Sequence, residues 1–362
     1  MVSSGLMVLR LALVLALGLP LLACAELRPP GGDSGQAAPA HHAGRGFRNV
    51  FAEPPRGGFG SILRWQLGLG PKEEPPVPPA DVPAYVPEIA PPDLDAIRRP
   101  DPSRIQVTWI GHSSFLVQAG GLNILTDPVY SDRVSPVSFI GPRRKAPPGI
   151  PFESLPRIDA VVISHDHYDH LDAPVIKKLG TRPRYFVPLG VGAWFHARGI
   201  ERVSELDWWQ TAFIGEVQFH CVPAQHFSGR SPFAFDRALW AGWVIETPAG
   251  RIYFAGDAGY SPHFREIGER RGPIRVALLP IGAYRPRWFM KTMHMDPPEA
   301  VRAHRDVGAR YSVGMHWGTL RQSDEPLAEP PIYLKMAARE AGLADDEFRV
   351  LKFGQTAVFD GR

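Results

Sequence analysis

Ser164-His165-Asp166-His167-Tyr168-Asp169-His170 follows directly on the apolar run Ile158-Asp159-Ala160-Val161-Val162-Ile163, which places four metal-competent side chains in the spacing H-x-H-x-D-H at the end of a strand candidate. On extended backbone, residues two apart point the same way, so His165 and His167 can grip one ion. Asp169 and His170 fall where the chain turns toward a helix, with Asp172 as its N-cap and Pro174 in its first turn, and can face a second ion. Imidazole and carboxylate without thiolate suit zinc; manganese or iron accepts the same donors. With 13 histidines in 362 residues, three within six positions beside an aspartate is no accident of composition.

Outward from this motif the pattern is that of a layered α/β domain. Strand candidates are Gln106 to Ile110, Ser114 to Ala119, Asn123 to Thr126, Ile158 to Ile163, Arg184 to Val187, Val217 to Val222, Leu239 to Glu246, Arg251 to Phe254, Val276 to Leu279 and Tyr311 to Val313. Helices are predicted at Pro174 to Leu179, Val191 to Arg198, His263 to Arg270, Pro297 to Asp306 and Pro331 to Ala341. Two sheets packed face to face and covered by helices account for this order. With 44% hydrophobic and 10% aromatic residues the chain can fill such a core. The net charge of +3 and the lack of a Lys/Arg run offer nothing to a nucleic acid.

The N-terminal region reads differently. Residues 1–23 have the form of a lipoprotein signal peptide, in which Leu11 to Pro20 is of h-region length. Leu21-Leu22-Ala23-Cys24 resembles a bacterial lipobox. That likeness implies lipidation of Cys24 and an anchor in a membrane of the cell envelope facing the periplasm; Ala25, not aspartate, at the next position favours the outer membrane. Residues 24–46 are expected to be a disordered tether. The Pro-rich segment 47–104 carries Phe47, Phe51, Phe59 and Trp65, and is expected to pack on a catalytic domain spanning 105–362. Of the two cysteines, Cys221 sits in an apolar strand pattern and reads as a buried small residue.

Three more strand ends carry metal-competent residues: His226 after Val222-Pro-Ala-Gln, Asp257 after Tyr253-Phe-Ala-Gly, and His316 after Gly314-Met315. One such histidine alone is more often structural, but the shared position downstream of H-x-H-x-D-H argues for ligands. Here the chain resembles the metallo-β-lactamase superfamily, and within it the N-acylphosphatidylethanolamine-hydrolysing phospholipases D and their bacterial relatives. The likeness runs through Thr108-Trp-Ile-Gly-His-Ser113, Leu125-Thr-Asp-Pro128, Glu205-Leu-Asp-Trp-Trp209, Ile281-Gly-Ala-Tyr-Arg-Pro-Arg-Trp-Phe-Met290, His294-Met-Asp-Pro297 and His316-Trp-Gly-Thr319.

The resemblance implies a four-layered αββα metallo-β-lactamase sandwich with two zinc ions. His165, His167 and His226 would hold one, Asp169, His170 and His316 the other, and Asp257 would bridge. Asp169 and Asp257 thereby count as catalytic, with His294 at the rim near the substrate phosphate, while Asp127 and His112 are expected to orient ligand side chains. The implied reaction is hydrolysis of an N-acylphosphatidylethanolamine to N-acylethanolamine and phosphatidic acid by a hydroxide between the ions. Asp166, Phe227-Ser228-Gly229 and Arg285 depart from that family's pattern, the last two near the substrate entrance. Trp208 and Trp209 read as core, whereas Trp288, Phe289 and Met290 suit either core or an acyl groove. A metallohydrolase of a soluble lactone, cyclic phosphodiester or β-lactam would share the metal site. A non-catalytic zinc-binding envelope lipoprotein is the rival from another class. The oligomeric state is left open, a homodimer included.

Overall fold

The computed structural model describes residues 38–52, 58–137, 139–231 and 234–361. The expected signal peptide, Cys24 and the first part of the expected tether lie outside them. In chain order the strands are β1 (His42–Ala43), β2 (Gly46–Phe47), β3 (Ile105–Gly111), β4 (Ser114–Ala119), β5 (Leu122–Thr126), β6 (Ala160–Val162), β7 (Arg184–Pro188), β8 (Val203–Leu206), β9 (Thr211–Ile214), β10 (Val217–Val222), β11 (Gly242–Thr247), β12 (Gly250–Phe254), β13 (Ile274–Pro280), β14 (Ala309–Met315), β15 (Phe348–Arg349) and β16 (Thr356–Phe359). The helices are α1 (Gly58–Gln66), α2 (Leu94–Arg98), α3 (Ala173–Leu179), α4 (Gly192–His196), α5 (His263–Arg271), α6 (Arg287–Met290), α7 (Pro297–Asp306) and α8 (Glu329–Glu340).

Two seven-stranded sheets result among the described residues, ordered β16-β3-β4-β5-β6-β7-β8 and β15-β14-β13-β12-β11-β10-β9. Each is antiparallel on one side and parallel on the other. Parallel neighbours require crossovers; α3, α4, α5, α7 and α8 lie in five of them, and a long loop joins β5 to β6. The period-two alternation of side chains builds the layers. Val107, Trp109, Phe115, Val117, Ile124, Val162 and Phe186 point into the core between the sheets. Ile110, Leu116, Leu125, Val161, Ile163, Tyr185 and Val187 point the other way, onto Ile176 of α3 and Phe195 of α4. Phe186 stacks on Phe219 of the second sheet with centroids 3.9 Å apart, and Trp243 Nε1 donates to the Ile163 carbonyl. On the outer face of the second sheet, Phe264, Ile267, Ala300, Val301, Ala303 and Leu334 bring α5, α7 and α8 into the same core. The architecture is the αββα sandwich the sequence led us to expect.

Several expectations change. Residues 38–46 do not float as part of a tether: β1 and β2 form an antiparallel hairpin, Phe47 N donates to Asp236 O, and His41 and His42 both hydrogen-bond Asp207. The Pro and Gly content that suggested a tether excludes long regular elements but not a strap held by side chains. Leu239 to Ala241 precede strand β11 because their amides serve loops instead, Leu239 N on Leu189 O and Ala241 N on Ser164 O. Strands β8, β9, β15 and β16 were not anticipated; they are short, and β16 finds its partner β3 near the other end of the domain. Asp172 occupies the N-cap position without capping. Its carboxylate takes the amides of Tyr130 and Ser131 and the Ser131 hydroxyl, fixing the loop after β5.

Candidate metal centre

Ligands of open α/β sheets gather beyond the carboxyl ends of parallel strands, and the predicted site residues lie there. His165, His167, Asp169 and His170 follow β6, His226 follows β10, Asp257 follows β12 and His316 follows β14; His112 and Asp127 follow β3 and β5. The structure brings all of them together. His167 Nδ1 is 2.8 Å from His165 Nε2 and 3.4 Å from His226 Nε2. Beside this trio, Asp169 Oδ2 is 3.4 Å from His170 Nε2 and 3.7 Å from His316 Nε2. Asp257 Oδ2 touches both groups, 3.1 Å from His170 and His316 Nε2 and 3.8 Å from His226 Nε2. His294 stands at the mouth, its Nδ1 3.9 Å from the same oxygen.

Hydrogen bonds on the far ring nitrogens fix which lone pairs face inward. His170 Nδ1 donates to Asp127 Oδ2 at 2.6 Å, and His226 Nδ1 to the Met293 carbonyl at 3.0 Å. Ser164 Oγ donates to Asp127 Oδ2 and therefore accepts from His165 Nδ1 at 2.8 Å. In each case Nε2 is the nitrogen turned toward the centre, which is how outer partners prepare imidazole for an ion. Asp169 Oδ2 in turn accepts from His112 Nε2 at 3.0 Å and Gln322 Nε2 at 2.8 Å. His112, Asp127 and His316 all have positive φ, 53°, 31° and 61°. Such strain costs on the order of 1–3 kcal/mol per residue and collects at functional sites.

Electrostatics sort the histidines. Burial and neighbouring imidazoles hold His165 well below its ordinary pKa, and burial brings His167 to about 3 and His226 to about 4. Burial also works against a proton on His316, but Asp257 and Asp169 outweigh it and raise this group to about 9. His170 rises for the same reason. Burial opposes charge on Asp169 and Asp257 as well, yet the imidazoles around them keep both carboxylates well below the usual range. His170 Nε2, His316 Nε2 and Asp257 Oδ1 are buried and have no hydrogen-bond partner. Nitrogen and oxygen atoms of this type, converging and unsatisfied, fit a divalent metal pair, whose charge would displace the protons that Asp257 and Asp169 hold on His316 and His170.

Some contributors were not legible in the sequence. Ser164 lies inside the opening motif, and its role could have been guessed from that adjacency. Gln322 gave no signal. Arg230, partly buried, donates to the carbonyls of Asp166 and Leu171 and holds the 166–171 loop. Asn49 reaches from the N-terminal strap to the His226 carbonyl at 2.7 Å. Of the family departures, Asp166 is buried and accepts from Gly229 N. Phe227 packs against the rings of His167 and His226, and Arg285 faces Glu329. Trp208 is core, its Nε1 bonded to the Trp240 carbonyl; Trp209 is only partly buried against that core, under Arg270. Phe289 stacks on Trp65 of α1, while Trp288 is partly buried beside it.

The model of the family described as a β-lactamase superfamily domain matches residues 122–317, a span that holds all seven predicted ligands. An uncharacterized protein of Mycobacterium tuberculosis is 48% identical over 249 residues, 67% of this chain; the chain thus spans 66% of that relative, just under two thirds. N-acyl-phosphatidylethanolamine-hydrolyzing phospholipase D 1 of Caenorhabditis elegans is 42% identical over 269 residues, 70% of this chain and 75% of its own length. Among solved structures, a metallo hydrolase from the archaeon Ignicoccus hospitalis superposes with a TM-score of 0.56 at 25% identity, covering 72% of this chain and 100% of that one. Matches of this reach, centred on strand ends that present converging imidazoles and carboxylates, mean that the chain belongs to the metallo-β-lactamase superfamily of metal-dependent hydrolases.

Proposed function

We propose that the chain is a divalent-metal-dependent phosphodiesterase that hydrolyses N-acylphosphatidylethanolamine-type phospholipids to N-acylethanolamine and phosphatidic acid. The observation that carries this reading is the 42% identity to the Caenorhabditis elegans relative named for that activity. In this reading His165, His167 and His226 hold one ion, Asp169, His170 and His316 the other, and Asp257 serves both. Zinc suits these donors, and manganese or iron would accept them. When bound, the ions supply Lewis acidity toward phosphoryl oxygens and lower the pKa of water toward neutrality.

The chain's own residues then have distinct tasks. Asp127 and Ser164 hold His170 and His165 in the inward tautomer, and His112 and Gln322 fix Asp169. His294, whose Nδ1 is buried without a partner, is placed to donate a hydrogen bond to a phosphoryl or leaving oxygen. Phe227 closes the wall beside the imidazoles and excludes water. Lipidation at Cys24 would hold the enzyme at the outer membrane, facing the periplasm, where tethering raises its effective concentration on a bilayer-embedded substrate.

The test is a panel of N-acylphosphatidylethanolamine vesicles, a soluble cyclic phosphodiester, a lactone and a β-lactam, assayed with wild type and Asp257→Asn. Release of N-acylethanolamine by wild type and its loss in the variant is expected. Turnover of a soluble substrate alone would overturn the lipid assignment. No turnover of any substrate, with fewer than two metal equivalents bound after zinc loading, would leave the non-catalytic envelope protein.

A further inference from the structure

A second set of converging donors lies apart from the seven described above. His41 and His42, just ahead of and within β1, both turn onto Asp207, which follows β8. His41 Nε2 is 2.6 Å from Asp207 Oδ1 and His42 Nε2 is 2.8 Å from Oδ2. All three ligand atoms fall within 4.8 Å of one another, as do those of His165, His167 and His226. We propose that His41, His42 and Asp207 form a further divalent-cation site, which fastens the N-terminal strap to the sandwich.

Three features support a built site. The donors are held in place from outside the cluster: His41 stacks on Trp208 at 4.2 Å, His42 lies edge-on to Phe47 at 5.2 Å, and Asp207 Oδ1 accepts the Trp208 amide at 2.8 Å. The cluster is closed on one side and open on the other. Side-chain exposure is 8% for His41 and 12% for Asp207 but 32% for His42, leaving room for water or a fourth ligand on the His42 side. The donor set, two imidazoles and one carboxylate with no thiolate, is that of zinc, cobalt or iron(II).

Its location gives the site a consequence. From His42 the chain runs seven residues to Asn49, whose amide braces the carbonyl of His226, and on to Ala52, whose carbonyl accepts from Gln225. An ion at the clasp would therefore steady the segment that supports one edge of the metal centre, since binding by donors from distant parts of a chain stabilises the folded arrangement that unites them.

The competing arrangement is purely hydrogen-bonded, with both imidazoles donating Nε2–H to the carboxylate. Glutamine separates the two, because its amide keeps an N–H for Asp207 while offering a far weaker ligand. Wild type, His41→Gln and His42→Gln are each loaded with zinc, desalted and analysed for metal per chain. The expected result is one equivalent fewer in either variant than in wild type. Equal metal content in wild type and both variants would overturn the proposal, whatever the absolute number. That comparison reads this site alone, whereas a deficit in Asp257→Asn reads the metal centre.

Discussion

Asp127→Asn separates the metal centre from the fold that carries it. Asp127 is fully buried and accepts three donors: Ser164 N on Oδ1, and Ser164 Oγ and His170 Nδ1 on Oδ2. Asparagine matches its volume and tolerates the positive φ of 31° at this position, so the backbone has no reason to move. One acceptor oxygen remains for two sites. If it stays with the Ser164 amide, the new NH2 group meets His170 Nδ1–H, donor against donor. His170 must then shift its proton to Nε2, which is 3.1 Å from Asp257 Oδ2 and is the nitrogen that faces the centre. Removing such an outer partner weakens metal binding or activity by roughly 10–100-fold, equivalent to about 1.4–2.7 kcal/mol. A donor left unsatisfied in the interior adds about 1–3 kcal/mol of destabilisation to the metal-free protein. Competition with a chelator of known affinity measures the first quantity and urea unfolding of the metal-free protein the second. A variant that holds metal as tightly as wild type would refute the assignment of His170 Nε2 as a ligand and of Asp127 as its orienting partner.

Other predictions test the frame around the site. Phe186→Ala removes the ring that bridges the two sheets and should cost about 3–5 kcal/mol in denaturant unfolding; a loss under about 1 kcal/mol would mean the sheets are not held there. Gly256 has φ +61°, and an added Cβ would stand 2.5 Å from Ser164 Cβ. Gly256→Ala should therefore lower metal content as well as stability, by displacing Ser164 from His165. His263 is buried, and burial alone depresses its pKa to about 3. A depressed histidine stabilises the fold fully above the unfolded value near 6.5 and loses that contribution as pH falls from there toward 3. Unfolding free energy measured on metal-free protein from pH 7 down to pH 4 should consequently fall less steeply in His263→Asn than in wild type, by a slope of up to about 1.4 kcal/mol per pH unit. Parallel curves would place the histidine in water.

Much of this molecule is written in local patterns. Val217–Val222 and Pro297–Asp306 form the strand and helix that their alternation and proline start predict. The spacing of His165, His167, Asp169 and His170 specifies chemistry because one strand end sets all four directions. His226, Asp257 and His316 are legible as residues following apolar strands, since the carboxyl end of a strand is where a layered fold opens to ligands. What the sequence could not supply is pairing between segments far apart. That Ser164 passes the influence of Asp127 to His165, that Gln322 meets Asp169, and that Asn49 braces His226 depends on loops from both sheets converging. No periodicity records such contacts. The strap at 38–52 shows the same limit: its composition permits disorder, and only the tertiary fold, by placing Asp207 opposite His41 and His42, supplies the partners that order it. Local sequence determines which residues can serve as ligands, because strand geometry aims side chains over a few residues. Tertiary structure decides which nitrogen of each histidine faces the metal, because that depends on hydrogen-bond partners delivered from elsewhere in the chain.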